Sequence, residues 1–126
     1  MDFVTGGAHN GKLAWALTHY GSEAKVLRKG NSLENLGNLV IVDQVEQIIG
    51  SPELDADQFF RELWQWEQSS PVYQLVLIGT DITGGVVPAE REMREWRDKI
   101  GFYYQQFTKE AESVYRIWYG IAQQLK

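Results

Sequence analysis

Two apolar stretches constrain this chain most. Leu39-Val40-Ile41-Val42 runs without a polar residue into Asp43, and Val72 to Ile78 runs into a glycine-rich segment, Gly79 to Pro88. A strand with one wet face alternates apolar and polar residues. A strand that does not alternate is buried on both faces, as in a parallel sheet covered by helices. The segments between these stretches have helical spacing. From Asp55 to about Gln68, Phe59, Phe60, Leu63 and Trp64 share one face. From Ala89 to about Ala111, the stripe Ala89, Met93, Trp96, Ile100, Tyr103, Phe107, Ala111 recurs at steps of three or four.

The remaining segments fill in the order. Phe3 to Thr5 reads as a strand, Gly11 to Tyr20 as a helix closed by Gly21, and Ala24 to Arg28 as a short strand. Gly30 to Asn38 reads as a loop or one helical turn. Gln44 to Ile49 is a short helix stopped by Gly50-Ser51-Pro52, and Val114 to Tyr119 is a last strand. The order β-α-β-β-α-α-β-α-β predicts a three-layer α/β sandwich with a mostly parallel sheet, as one domain over residues 1–126.

Composition narrows the function. Seventeen acidic residues against twelve basic ones leave a net charge of −5, which argues against nucleic acid as a partner, because phosphate neutralisation needs a basic face. A chain without cysteine has no disulfide, thiolate zinc site or cysteine nucleophile, and two histidines do not make a histidine-rich metal centre. No stretch reaches the length of a membrane span, and Met1-Asp2-Phe3-Val4-Thr5 lacks the basic start and apolar core of a signal peptide. The expectation is a cytoplasmic protein with no membrane partner.

The first chemical motif is Gly6-Gly7-Ala8-His9-Asn10-Gly11-Lys12-Leu13, between the first strand and the first helix. It matches G-x-x-x-x-G-K, with Leu13 where Ser or Thr belongs. Glycines let backbone N–H groups converge on phosphate oxygens, and the helix N-terminus adds positive potential. These eight residues are therefore the candidate nucleotide-binding set, with GTP or ATP as ligand and Lys12 reaching the β- and γ-phosphates. The hydroxyl that touches Mg²⁺ is missing at Leu13. Asp43, at the end of an apolar strand, is in the context of the acidic residue that holds Mg²⁺ through water; it could equally cap the helix that follows.

The two ends of the chain carry a more specific pattern. Asp81-Ile82-Thr83-Gly84-Gly85-Val86-Val87-Pro88 resembles the loop E-V-G-x-G-I-V-P of the adenosylcobinamide kinase/adenosylcobinamide-phosphate guanylyltransferase family. Trp96-Arg97-Asp98-Lys99-Ile100-Gly101 is similar to its F-R-D-x-x-G, and Gln105 to the Gln of its N-Q pair. Trp118-Tyr119-Gly120-Ile121 through Leu125-Lys126 resembles its S-G-I-x-x-x-L/I-K close, and Val4 to Ala8 with Gly11-Lys12 its V-T-G-G-A-R-S-G-K-S. The resemblance covers about 1–20 and 72–126. It implies a RecA-like P-loop fold assembled as a homo-oligomeric trimer. It also implies phosphorylation of the aminopropanol hydroxyl of adenosylcobinamide, then GMP transfer through a guanylyl-histidine.

The departures bear on that chemistry. The family's guanylylated histidine follows the second strand, whereas Lys29 to Asn38 is short and holds no histidine. His19 lies on the first helix, and His9 stands where the family has an arginine. Guanylyl transfer is thus predicted lost. Leu13 replaces the Mg²⁺-ligating serine, Asp81 replaces a glutamate, and Phe102 and Tyr104 replace an arginine and an asparagine. Phosphoryl transfer depends on metal placement and charge neutralisation, so kinase activity is predicted weak or absent. The candidate catalytic residues are Lys12, Asp43 and Asp81, with Asp43 the metal contact. Two alternatives stand beside this reading: a working adenosylcobinamide kinase without the transferase, and an interaction protein that binds no nucleotide.

Overall fold

The computed structural model describes residues 1–82 and 90–126. In chain order the elements are β1 (Asp2–Gly6), α1 (Lys12–Tyr20), β2 (Lys25–Leu27), β3 (Leu39–Val42), α2 (Val45–Ile49), α3 (Ala56–Gln68), β4 (Gln74–Thr80), α4 (Arg91–Glu110), β5 (Ser113–Trp118) and β6 (Ile121–Gln124). The strands form one six-stranded sheet in the order β2-β3-β4-β1-β5-β6. All neighbours are parallel except β5 and β6, which pair antiparallel.

The apolar stretches occupy the middle of this sheet, and alternate side chains feed two cores. Phe3, Val40, Val42, Leu75, Leu77 and Val114 point to one side, where α2, α3 and α4 add Ile48, Ile49, Leu63, Ile100 and Phe107. Val4, Ile41, Val76, Ile78 and Ile117 point to the other, where α1 adds Ala16 with Leu13, Trp15, Leu17 and Tyr20. Helices thus cover both faces, which is why β3 and β4 do not alternate. Asp55 caps α3, its carboxylate accepting from the Gln58 N–H at 3.1 Å; such a cap contributes about 1 kcal/mol.

Three expectations need correction. Met93 was expected in the core stripe of α4 but is exposed. Ile100 and Phe107 are the buried residues of that helix, and Trp96, Tyr103 and Tyr104 pack against the core partly buried. The chain after Tyr119 forms β6, which its short polar sequence, Ile121-Ala122-Gln123-Gln124, did not signal. Asp43 does not cap α2: Gln44 holds that position without a side-chain hydrogen bond, in left-handed conformation at φ 56°. The expected start of α4 at Ala89, and residues 83–88 of the glycine-rich segment, lie outside the described residues.

Ile100 is fully buried, so Ile100→Ala removes apolar contacts and leaves a cavity. The expected loss is about 2–5 kcal/mol, read by urea unfolding. Met93→Ala on the same helix is expected to change stability by no more than about 0.5 kcal/mol.

Candidate functional site

Because β1 to β4 run parallel, their C-terminal ends share one edge of the sheet, where ligands bind in open α/β folds. β1 ends at Gly6, β3 at Val42 just before Asp43, and β4 at Thr80 just before Asp81. The Asp81 N–H donates to the Gly6 carbonyl at 2.8 Å, tying the β4 exit to the start of the glycine loop. Every residue of the predicted nucleotide-binding set therefore falls on this edge or at the start of α1, and Asp43 and Asp81 join it there.

The loop curls through three positive-φ residues: Gly6 at 153°, His9 at 62° and Gly11 at 80°. A Cβ on Gly6 would overlap the Ile117 carbonyl of β5, so only glycine lets β1 pass its neighbour so closely. A Cβ on Gly7 would sit 2.9 Å from Asn10 Nδ2. Gly11 is the N-cap of α1, and Trp15 N–H closes the first turn onto its carbonyl at 2.9 Å. The first turn of α1 carries no acidic residue, so the positive potential of its N-terminus faces the loop unopposed by its own helix. Ala8 and His9 form the exposed rim.

Lys12 closes the loop from inside. Its Nζ donates to the Gly7 carbonyl at 2.8 Å. Burial lowers its pKa below the usual lysine value, while the nearby carboxylates of Glu46 and Asp43 work in the opposite direction. Both carboxylates are buried. Asp43 Oδ2 accepts from Arg28 Nε at 3.1 Å and Arg28 Nη2 at 2.9 Å. Glu46 Oε1 accepts from the Thr80 N–H at 3.1 Å, and the Tyr104 hydroxyl donates to the Thr80 carbonyl at 2.7 Å. Burial, then the charges of Glu46 and Asp81, push the Tyr104 phenol up, so it stays a neutral donor. The edge therefore places the partly buried Lys12 beside two buried carboxylates, one of them paired with Arg28, a balance that an incoming anion would shift.

Glu46, Arg28 and Tyr104 were missed from the sequence. Glu46 had a signal: it is the one charge among Val45, Ile48 and Ile49, three residues after Asp43. Arg28 was read only as the charged end of a strand, and Tyr104 only as a replacement. Leu13 packs against the core beneath α1, so the place of the expected hydroxyl is taken by an apolar contact. Among the described residues, no three histidine, aspartate or glutamate side chains converge to hold a metal ion. His19 stacks on Trp15 at 4.6 Å, with the rings 14° apart, on the α1 face.

On the α4 side of the sheet, an open groove of about 780 Å³ ends at Asp81 and is lined also by Thr5, Tyr104, Gln105 and Arg116. No helix among the described residues is long and apolar enough to cross a membrane. No protein-family model matches the chain, and no curated protein has a significantly similar sequence.

Glu46→Ala leaves the half-buried Thr80 N–H without its acceptor and takes a counter-charge from Lys12. The expected loss is about 1–3 kcal/mol in urea unfolding. Glu46→Gln keeps an acceptor and is expected to lose less.

Proposed function

We propose that this chain binds a nucleoside triphosphate, GTP or ATP, with its phosphates in the loop Gly6 to Lys12. One observation carries the reading. A glycine loop with three positive-φ residues leaves a central parallel strand, enters a helix N-terminus, and holds a lysine Nζ across its own mouth. Lys12 is the main cation; an arriving phosphate would take the place of the Gly7 carbonyl as its acceptor. The sheet order supports a P-loop fold of RecA-like, three-layer type: β4 lies between β1, which carries the loop, and β3, which carries Asp43.

The wider reading rests on the family resemblance of the two chain ends. It makes this a divergent relative of the cobalamin-biosynthesis kinases/guanylyltransferases, forming a homo-oligomer of trimeric type. Guanylyl transfer is lost for want of the histidine segment, and kinase activity is weak or absent. Mg²⁺ would then arrive on the phosphates, with Asp43 reaching it at most through water. Leu13 offers no hydroxyl, and one Asp43 oxygen is engaged by Arg28. A working adenosylcobinamide kinase is the second reading, favoured by the groove that ends at Asp81, where a cobinamide hydroxyl could approach the terminal phosphate.

The experiment is a titration with GTP and ATP, with and without Mg²⁺, followed by calorimetry and by tryptophan fluorescence. Saturable binding is expected, weakened about 10- to 100-fold in Lys12→Ala, the loss of one charge-assisted contact. No binding at millimolar nucleotide would leave the interaction-protein reading. Turnover of adenosylcobinamide with GTP would move the assignment to the working kinase.

The pH profile is a separate check. A bound phosphate favours charged Lys12, so affinity is full below the pKa of that amine in the free protein. Because the Lys12 pKa is lowered in the free protein, affinity is expected to fall as pH rises through that lowered value, before the usual 10.5 is reached. Lys12→Arg is always charged and is expected to flatten this fall.

A further inference from the structure

The β5–β6 hairpin touches the phosphate loop. Trp118 pairs with Ile121, so the connection is the two-residue turn Tyr119-Gly120. Both residues have positive φ, 49° and 77°, the geometry of a type I′ turn. Such turns favour Asn, Asp or Gly at the first central position; a bulky aromatic there is an outlier. The fold buries little of Tyr119 in return, for the residue is 76% exposed, and its neighbour Trp118 is 56% exposed. Backbone outliers of this kind gather at functional sites.

The turn is also latched to the loop. The Gly120 N–H donates to the Asn10 carbonyl at 2.9 Å, and the Gly120 Cα lies 3.8 Å from where a Cβ on Gly11 would stand. The two exposed rings pack edge to face, centroids 5.6 Å apart and planes at 87°, and the Arg116 guanidinium lies 5.3 Å from the Trp118 ring. They stand at the β5–β6 side of β1. Asp43 and Asp81 follow the ends of β3 and β4, on the opposite side. An anion chain in the loop has carboxylates on one side and an aromatic pair on the other.

We propose that the exposed ring of Trp118, with Tyr119 edge to face against it, is the stacking platform for the base of the nucleotide whose phosphates occupy Gly6 to Lys12. This rests on the phosphate-loop reading and adds the base subsite to it. Stacking uses the π-face that every base has, so the platform selects for ring area rather than for base edges. GTP and ATP then bind alike, and both bind better than UTP or CTP.

The test compares GTP, ATP and inorganic tripolyphosphate by calorimetry. GTP and ATP are expected to bind roughly 5- to 100-fold tighter than tripolyphosphate. The double variant Trp118→Ala, Tyr119→Asn should erase that difference and leave tripolyphosphate binding intact. Asparagine suits the turn, so the hairpin is retained. Trp118→Phe keeps a ring and should keep nucleotide affinity, while losing any quenching of tryptophan fluorescence that GTP causes and tripolyphosphate does not. Equal affinity for nucleotide and tripolyphosphate in the unaltered protein overturns the platform and leaves the loop standing. Unchanged nucleotide affinity in the double variant does the same. If neither nucleotide nor tripolyphosphate binds, the phosphate-loop reading fails and the platform with it.

Discussion

The arrangement at the C-terminal edge of the sheet depends on β1 lying between two parallel neighbours. It pairs with β4 on one side and β5 on the other, over the same five residues. Parallel pairing puts the ends of β1, β3 and β4 on one side of the molecule. Burial on both faces keeps the middle of β3 and β4 apolar, and carboxylates follow where these strands end. Gly6, Asp43 and Asp81 are each the strand's last residue or the first beyond it. The close pass of β1 beside Ile117 then requires glycine at 6, and the loop begins from that constraint.

Electrostatics at this edge are held in balance by contacts that cross the fold. Lys12 is partly desolvated, which works against its charge, while Glu46 and Asp43 support it. Neither carboxylate is left to Lys12 alone, for Arg28 binds Asp43 and the Thr80 N–H binds Glu46. These contacts satisfy the two buried carboxylates beside the glycine loop. The Lys12 ammonium itself folds back onto the loop, donating to the Gly7 carbonyl.

Leu13 and the Tyr119 turn point the same way. At Leu13 the position that would help a metal contributes instead to the core beneath α1. At Tyr119 a turn that would be easier with asparagine carries an exposed ring beside the loop. Together they describe an edge where an apolar side chain and an exposed ring stand in places that metal binding and turn geometry would favour for polar residues.

Much of this was legible in the sequence. Unbroken apolar stretches identify β3 and β4, helical stripes identify α3 and α4, and the glycine loop with Lys12 announces itself by spacing. These signals are local: each is written within a dozen or so consecutive residues and set by backbone sterics or by one buried face. What only the tertiary structure decided is long-range. Glu46 meets Thr80 across 34 positions, Arg28 meets Asp43 across 15, and Tyr104 meets Thr80 across 24. The strand β6 exists because β5 offers it an edge, not because Ile121 to Gln124 prefers extension. Its turn reaches Asn10 only once β5 lies beside β1. Periodicity reports which face of an element is buried; which charges and rings then meet is settled by sheet order, which brings distant segments together.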